Sequence, residues 1–270
     1  MSATALSIPE EPRGIRRLTG AISDSLGVTW RNLIGLRRTP QLLVFATIQP
    51  VIFVLLFRYV FGGAIHVPGG IPYVDFLMPG IFVQATVFGA IGSAIGMAAD
   101  LKTGLLERFH SLPMARSAAL AGRTTADLAR NAFVVALMTA VGFAVGFRVH
   151  TGPIQLVAGV LLILLFAYAL SWVFVTVGLL VGDPETAQAA SFPVMAPLVF
   201  ASNAFVPVET MPEWLQPFAE HQPVSVTVSA VRALVLGGPT AEHVLQSLAW
   251  SLGILLVFAP LAVRRFRRAV

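Results

Sequence analysis

The stretch Ile154 to Val181, IQLVAGVLLILLFAYALSWVFVTVGLLV, runs for 28 residues without a charge. As an α-helix rising about 1.5 Å per residue it is about 42 Å long, more than the ~30 Å hydrocarbon core of a bilayer. In hydrocarbon every backbone N–H and C=O must be satisfied within the chain, and a helix does this alone. The segment therefore reads as a membrane-crossing helix with length to spare for a tilt or bend.

The rest of the chain agrees with that reading. Hydrophobic residues make up 56% of the sequence and charged residues 11%, with a mean hydropathy of +0.81. A water-soluble domain carries about twice that share of charge. Similar apolar stretches run over 41–62, 76–99, 126–147, 187–206 and 244–263, so six crossings are expected. The 126–147 stretch is polar at its start, and Pro50 is expected to kink the first. The polar, basic first forty residues lack the apolar run of a cleavable signal peptide. With no cysteine, disulfides and thiolate metal sites are excluded.

Charge sets the orientation. Arg13, Arg16, Arg17, Arg31, Arg37 and Arg38 precede the first stretch. Lys102, Arg108, Arg116, Arg123 and Arg130 fall around the join between the second and third, and Arg264, Arg265, Arg267 and Arg268 follow the last. The opposite loops are almost bare of Lys and Arg. The positive-inside rule then places both termini and the 100–130 segment in the cytoplasm, which requires an even number of crossings. The basic ends read as topology signals and contacts to anionic membrane lipids, not as a nucleic-acid surface. Arg58, near the outer end of the first stretch, is expected to snorkel to the interface or to line a polar path.

Between the crossings, residues 1–13 read as a disordered tail. Residues 14–38 carry an apolar stripe (Ile15, Leu18, Ile22, Leu26, Trp30, Leu33), the pattern of an amphipathic interfacial helix. Leu101, Leu105, Phe109 and Leu112 recur at helical spacing, with Lys102, Glu107 and Arg108 between them, until Pro113 stops the run. This short helix either turns the chain round or docks on a cytoplasmic partner. A second short helix is expected from Ser117. The Gly182-Asp183-Pro184-Glu185 turn is expected to cap the fifth crossing with its acids. Before the sixth, Val224 to Leu236 is apolar but too short to span, so a re-entrant external hairpin is expected over 207–242. Gly92 with Gly96, Gly142 with Gly146 and Gly178 with Gly182 suit close helix packing.

Catalytic and nucleotide-binding motifs are missing, including the Gly-x-x-x-x-Gly-Lys-Ser/Thr phosphate loop. The five histidines are not paired at metal-ligand spacing, so no metal site is expected on this chain. The acids read as loop and tail residues rather than mid-span ones, which disfavours an ion-coupled carrier.

Three runs carry a resemblance. Leu105 to Arg116 (LLERFHSLPMAR), Phe205 to Pro217 (FVPVETMPEWLQP), and His221 to Ser225 with Val231 to Leu234 resemble segments of the ABC-2 permeases of the daunorubicin-resistance type, actinobacterial exporters of drugs and lipids. The resemblance implies an all-α integral membrane fold: six transmembrane helices, an amphipathic N-terminal interfacial helix, a cytoplasmic coupling helix between spans two and three, and a re-entrant external hairpin before span six. It implies a bacterial cytoplasmic-membrane permease that moves a hydrophobic or amphipathic substrate outward. Two separate ATPase subunits would bind ATP and Mg, and the second permease copy would be the same chain or a paralogue. Lys102, Leu105, Glu107, Arg108, Phe109, Leu112, Pro113 and Arg116 would form the ATPase-coupling helix. The path would follow spans one, two and five, with Gln49, Phe53, Phe57, Gln84, Phe88, Phe200 and Asn203 as candidate path or gate residues. The competing readings are an ATP-independent secondary carrier or channel, and a membrane scaffold that transports nothing.

Overall fold

The computed structural model describes residues 34, 40–65, 67, 70–104 and 116–269, and among these there is no β-strand. The expected N-terminal interfacial helix lies almost entirely outside the described residues. So do Leu105, Glu107, Arg108, Phe109, Leu112 and Pro113 of the expected coupling helix.

Helix α1 spans Pro40–Leu55 and continues as a π-helical segment over Leu56–Phe61. Then follow α2 (Tyr73–Lys102), α3 (Arg116–Ala144), α4 (Pro153–Val181) and α5 (Pro184–Phe200). A 3₁₀ turn at Val208–Thr210, a short α6 (Gln216–His221) and α7 (Pro223–Leu236) lead to α8 (Thr240–Ala269). Among the described residues, four segments are long and apolar enough to cross a membrane: Tyr73–Lys102, Leu120–Ala144, Pro153–Val181 and Thr240–Arg267.

Local chemistry sets the ends. Pro153 opens α4, where its missing N–H costs nothing, and the Gln155 side chain accepts the Gly152 N–H at 3.1 Å. Gly182 closes α4 at φ 73°, a left-handed conformation that glycine adopts freely, and donates to the Gly178 carbonyl. Asp183 caps α5 by accepting from the Thr186 N–H at 3.1 Å.

The core lies between α2 and α4. Leu77, Met78, Ile81 and Phe82 of α2 interlock with Ile163, Phe166 and Phe174 of α4 and Met138 of α3, all buried. At Gly178 an added Cβ would run into the Ala94 carbonyl, so this glycine lets α2 and α4 touch backbone to backbone. By contrast, α8 leaves Leu245, Trp250, Leu252, Leu256 and Val257 exposed, as a lipid-facing helix does.

Two segments differ from expectation. The helix expected over 187–206 runs from Pro184 and stops at Phe200, although Pro193 and Pro197 lie inside it. It stops there because the next residues serve α7: the Asn203 N–H donates to Ser225 Oγ, and the chain at Ala204 packs on Gly80 with no room for a Cβ. The short helix expected from Ser117 is not separate; α3 runs unbroken from Arg116.

Candidate functional site: a polar-floored cleft

Helices α1, α2 and α3 enclose a cleft of about 280 Å³. Gln49 and Pro50 line it from α1. On α2 the lining recurs at helical spacing, Gln84, Phe88, Ile91 with Gly92, and Ile95, one face of the helix. Arg130, Asn131 and Val134 of α3 complete the wall. Gln49 is exposed on its open side, while Gln84 and Asn131 are each only 1% exposed.

The floor is polar because α2 carries glycine where α3 carries polar side chains. An added Cβ at Gly89 would run into Asn131 Oδ1, at Gly92 into the Arg130 guanidinium, and at Gly96 into that of Arg123. Gly92 and Gly96, expected to bring backbones together, instead seat these side chains. Arg130 Nη2 donates to the Gly89 carbonyl and lies 3.5 Å from Asp127 Oδ1. The other oxygen of Asp127 accepts from Ser93 Oγ, and Arg123 pairs with Asp100 one turn further on.

This overturns one expectation. A carboxylate does stand inside an apolar helix: Asp127 lies within the Leu120–Ala144 segment and is largely buried. Its two oxygens are taken by Ser93 and Arg130. Gln84 Oε1 and Asn131 Nδ2, in contrast, are buried without any partner among the described residues. A buried polar group left unpaired is costly, and pairs of them around a cavity mark a place for a polar guest.

The seven candidate path residues divide into three groups. Gln49, Gln84 and Phe88 line the cleft. Phe53, Phe57 and Phe200 gather around Phe205 instead, with ring centres 5.9, 4.6 and 6.4 Å from it. Gln49, Phe53 and Phe57 stand four residues apart, so the chain leads along one face from the cleft to this aromatic cluster. Asn203 does neither. Its Nδ2 donates to Ser229 Oγ at 2.7 Å and its carbonyl accepts from Arg232, so it holds α7 in place.

Of the coupling-helix candidates, Lys102 ends α2 and donates to Asp183 Oδ1 at 2.7 Å, and Arg116 opens α3. Arg58 sits in the π-helical segment with Nε buried and without a partner among the described residues, and its guanidinium is 5.9 Å from the Tyr59 ring. The sequence reading missed Arg130, Asn131, Asp127 and Phe205 as site residues. The available signal was the spacing of Arg123, Asp127 and Arg130, one face of α3, set against Gly89, Gly92 and Gly96 on α2.

Known proteins with similar sequences were compared with the chain. The daunorubicin resistance ABC transporter permease protein DrrB1 of Streptomyces coeruleorubidus is 36% identical over 266 residues, covering 98% of this chain and 92% of that protein. A protein named as a probable doxorubicin resistance ABC transporter permease, DrrC, of Mycobacterium tuberculosis is 29% identical over 249 residues, covering 92% of this chain and 90% of its own. A doxorubicin resistance ABC transporter permease, DrrB, of the same organism is 28% identical over 160 residues, covering 59% and 55%. The family described as ABC-2 type transporter matches residues 26–236. A bundle of long apolar helices with that match over most of its length is a multi-pass membrane protein, and the chain belongs to the ABC-2 type transporter family.

Proposed function

We propose that the chain is the permease subunit of an ATP-driven exporter that moves a hydrophobic or amphipathic substrate, a drug, lipid or glycolipid, out across the bacterial cytoplasmic membrane. The observation that carries this reading is the cleft between α1, α2 and α3: in a chain of the ABC-2 family, it offers apolar walls and a polar floor within helices that suit lipid. The names of the similar proteins, which speak of daunorubicin and doxorubicin resistance, support export of this kind of molecule.

In this reading six segments cross the membrane: α1 with its π-helical extension, α2, α3, α4, α5 and α8. At 17 residues α5 is about 26 Å long, and a locally thinned bilayer accommodates it. Helices α6 and α7 form the re-entrant hairpin on the outer side. The termini and the 105–116 loop are cytoplasmic, as the arginine distribution requires. The chain holds no nucleotide; two ATPase subunits carry ATP and Mg and dock on that loop. A second permease completes the path, either the same chain or a paralogue. The presence of both DrrB and DrrC among the similar proteins of one organism supports a paralogous pair.

The test is affinity purification of the tagged chain in mild detergent, with identification of what co-purifies and an ATPase assay. A stoichiometric nucleotide-binding subunit with vanadate-sensitive hydrolysis upholds the reading. A stable assembly without one, from cells expressing the candidate subunits, overturns it.

A further inference from the structure

The geometry points to the cleft as a binding site for the anionic head, phosphate or carboxylate, of an amphiphile. The argument rests on charge, orphaned groups and shape. Among the twelve lining residues the one ionisable side chain is Arg130; no carboxylate faces the space. Asp127 stabilises the guanidinium through Nη2 but does not itself line the cleft. Nη1 lies over Gly92, and among the described residues only Nη2 of this guanidinium has a hydrogen-bond acceptor, so donors remain for a guest. A guanidinium away from water binds an oxyanion through charge-assisted, often paired hydrogen bonds, and attracts it more strongly than it would in solvent.

Asn131 Nδ2, the neighbouring donor, is buried and has no partner among the described residues, while the orphaned Gln84 Oε1 is an acceptor for a hydroxyl of a protonated or esterified head. A cation placed here would face the Arg130 guanidinium directly, with Asp127, the acid that partners Arg130, outside the lining. The remaining wall, Phe88, Ile91, Ile95 and Val134, is apolar and suits an alkyl or aromatic tail. The site thus takes an amphiphile head first, its tail lying along α2 toward the open side at Gln49.

This deepens the permease reading and rests on it only for why an amphiphile is drawn into the cleft. The test uses the full chain in phosphatidylcholine nanodiscs, with equilibrium binding of labelled monododecyl phosphate and of dodecyltrimethylammonium. Bulk partitioning is removed by subtracting discs without protein. The wild-type chain is expected to bind the phosphate at least tenfold more tightly than Arg130→Met, with Arg130→Lys within about threefold of wild type and ammonium bound by Arg130→Met at least as tightly as by wild type. Equal phosphate binding by wild type and Arg130→Met, or a preference for ammonium, overturns the site. Should Arg130→Met fail to fold, Gly92→Ala, which pushes Nη1 aside, is expected to weaken phosphate binding severalfold; unchanged binding there overturns it as well. Repeating the wild-type titration in phosphatidylglycerol discs names the source. Loss of probe binding identifies a bilayer headgroup as occupant, and retained binding identifies a separate anionic amphiphile. No nucleotide enters the assay, so an assembly without ATP-driven transport would remove the exporter reading and leave the anion site standing.

Discussion

Arg232 of α7 stacks on Phe76 of α2, its guanidinium 3.7 Å from the ring centre, while Nη2 donates both to the Phe76 carbonyl and to that of Asn203. One side chain thus joins α7, the start of α2 and the segment after α5. Tyr73 Oη adds a bond to the Phe205 carbonyl at 3.0 Å in the same place. Arg232→Ala removes the ring contact and the guanidinium's hydrogen bonds to two carbonyls, so a loss of about 2–4 kcal/mol is expected. Arg232→Lys keeps the charge without the planar fork and should lose about half as much. Thermal melting in detergent gives the size, and hydrogen exchange over 223–236 shows whether α7 is the part released. Unchanged protection of α7 in Arg232→Ala would refute the anchoring role.

Gly178 and Gly253 are both helical glycines with opposite surroundings. A Cβ at Gly178 meets the Ala94 backbone, which cannot step aside, whereas at Gly253 it meets nothing. Gly178→Ala is expected to force α2 and α4 apart and cost about 1–3 kcal/mol. Gly253→Ala should be neutral, or stabilising by about 0.5–1 kcal/mol through helix propensity. Melting of the two variants side by side checks this. Equal effects would mean that the backbone contact at Ala94 contributes nothing.

These two residues also show what the sequence discloses. The helices could be read because lipid imposes one requirement on every residue of a crossing, and Ile154 to Val181 meets it by composition alone. Gly178 was readable as a close-packing residue for the same reason. Arg123 and Arg130 were not readable as buried. In one dimension they count as cytoplasmic charges, and what shelters them is the register of Gly96 and Gly92 on another helix. Nor was the early end of α5, because Pro193 and Pro197, residues that usually break a helix, lie within it, while Asn203 and Ala204 leave it to meet Ser225 and Gly80. Gln49, Gln84 and Phe88 were named from their likeness to a family path. The cleft's charged residue, Arg130, was named only as a topology signal.

Lys102 at the end of α2 and Asp183 at the cap of α5 tie the ends of these two helices together. The Lys102 hydrogen bond, and then that from the Thr186 N–H, lower the Asp183 carboxyl from its usual range to about 2. A lowered folded-state pKa means that the contacts are fully present above about pH 4 and lost as the pH falls through about 2. Thr186 amide exchange, corrected for its intrinsic pH dependence, is expected to stay level from pH 8 to 5. Asp183→Asn should raise it severalfold throughout. A midpoint between pH 5 and 7 would contradict the lowered pKa.

Lys102 is the last residue of α2, shortly before the 105–116 segment proposed above to meet the ATPase subunits, and its tether to Asp183 holds this end of α2 to the turn between α4 and α5. Under the proposed docking, motion of an ATPase would have two routes into the bundle, through α2, which lines the cleft, and through α5, which ends at the aromatic cluster around Phe205. On this argument Glu107→Ala with Arg108→Ala should leave insertion and assembly intact but separate hydrolysis from transport: ATPase activity within about twofold of wild type, export reduced at least tenfold. Lys102→Met should give a milder form of the same defect, since it loosens this end of α2 without altering Glu107 or Arg108. Reconstituted vesicles, with hydrolysis and substrate efflux measured on the same preparation, separate the two quantities. Normal export by the well-expressed double variant would remove the coupling role from this loop.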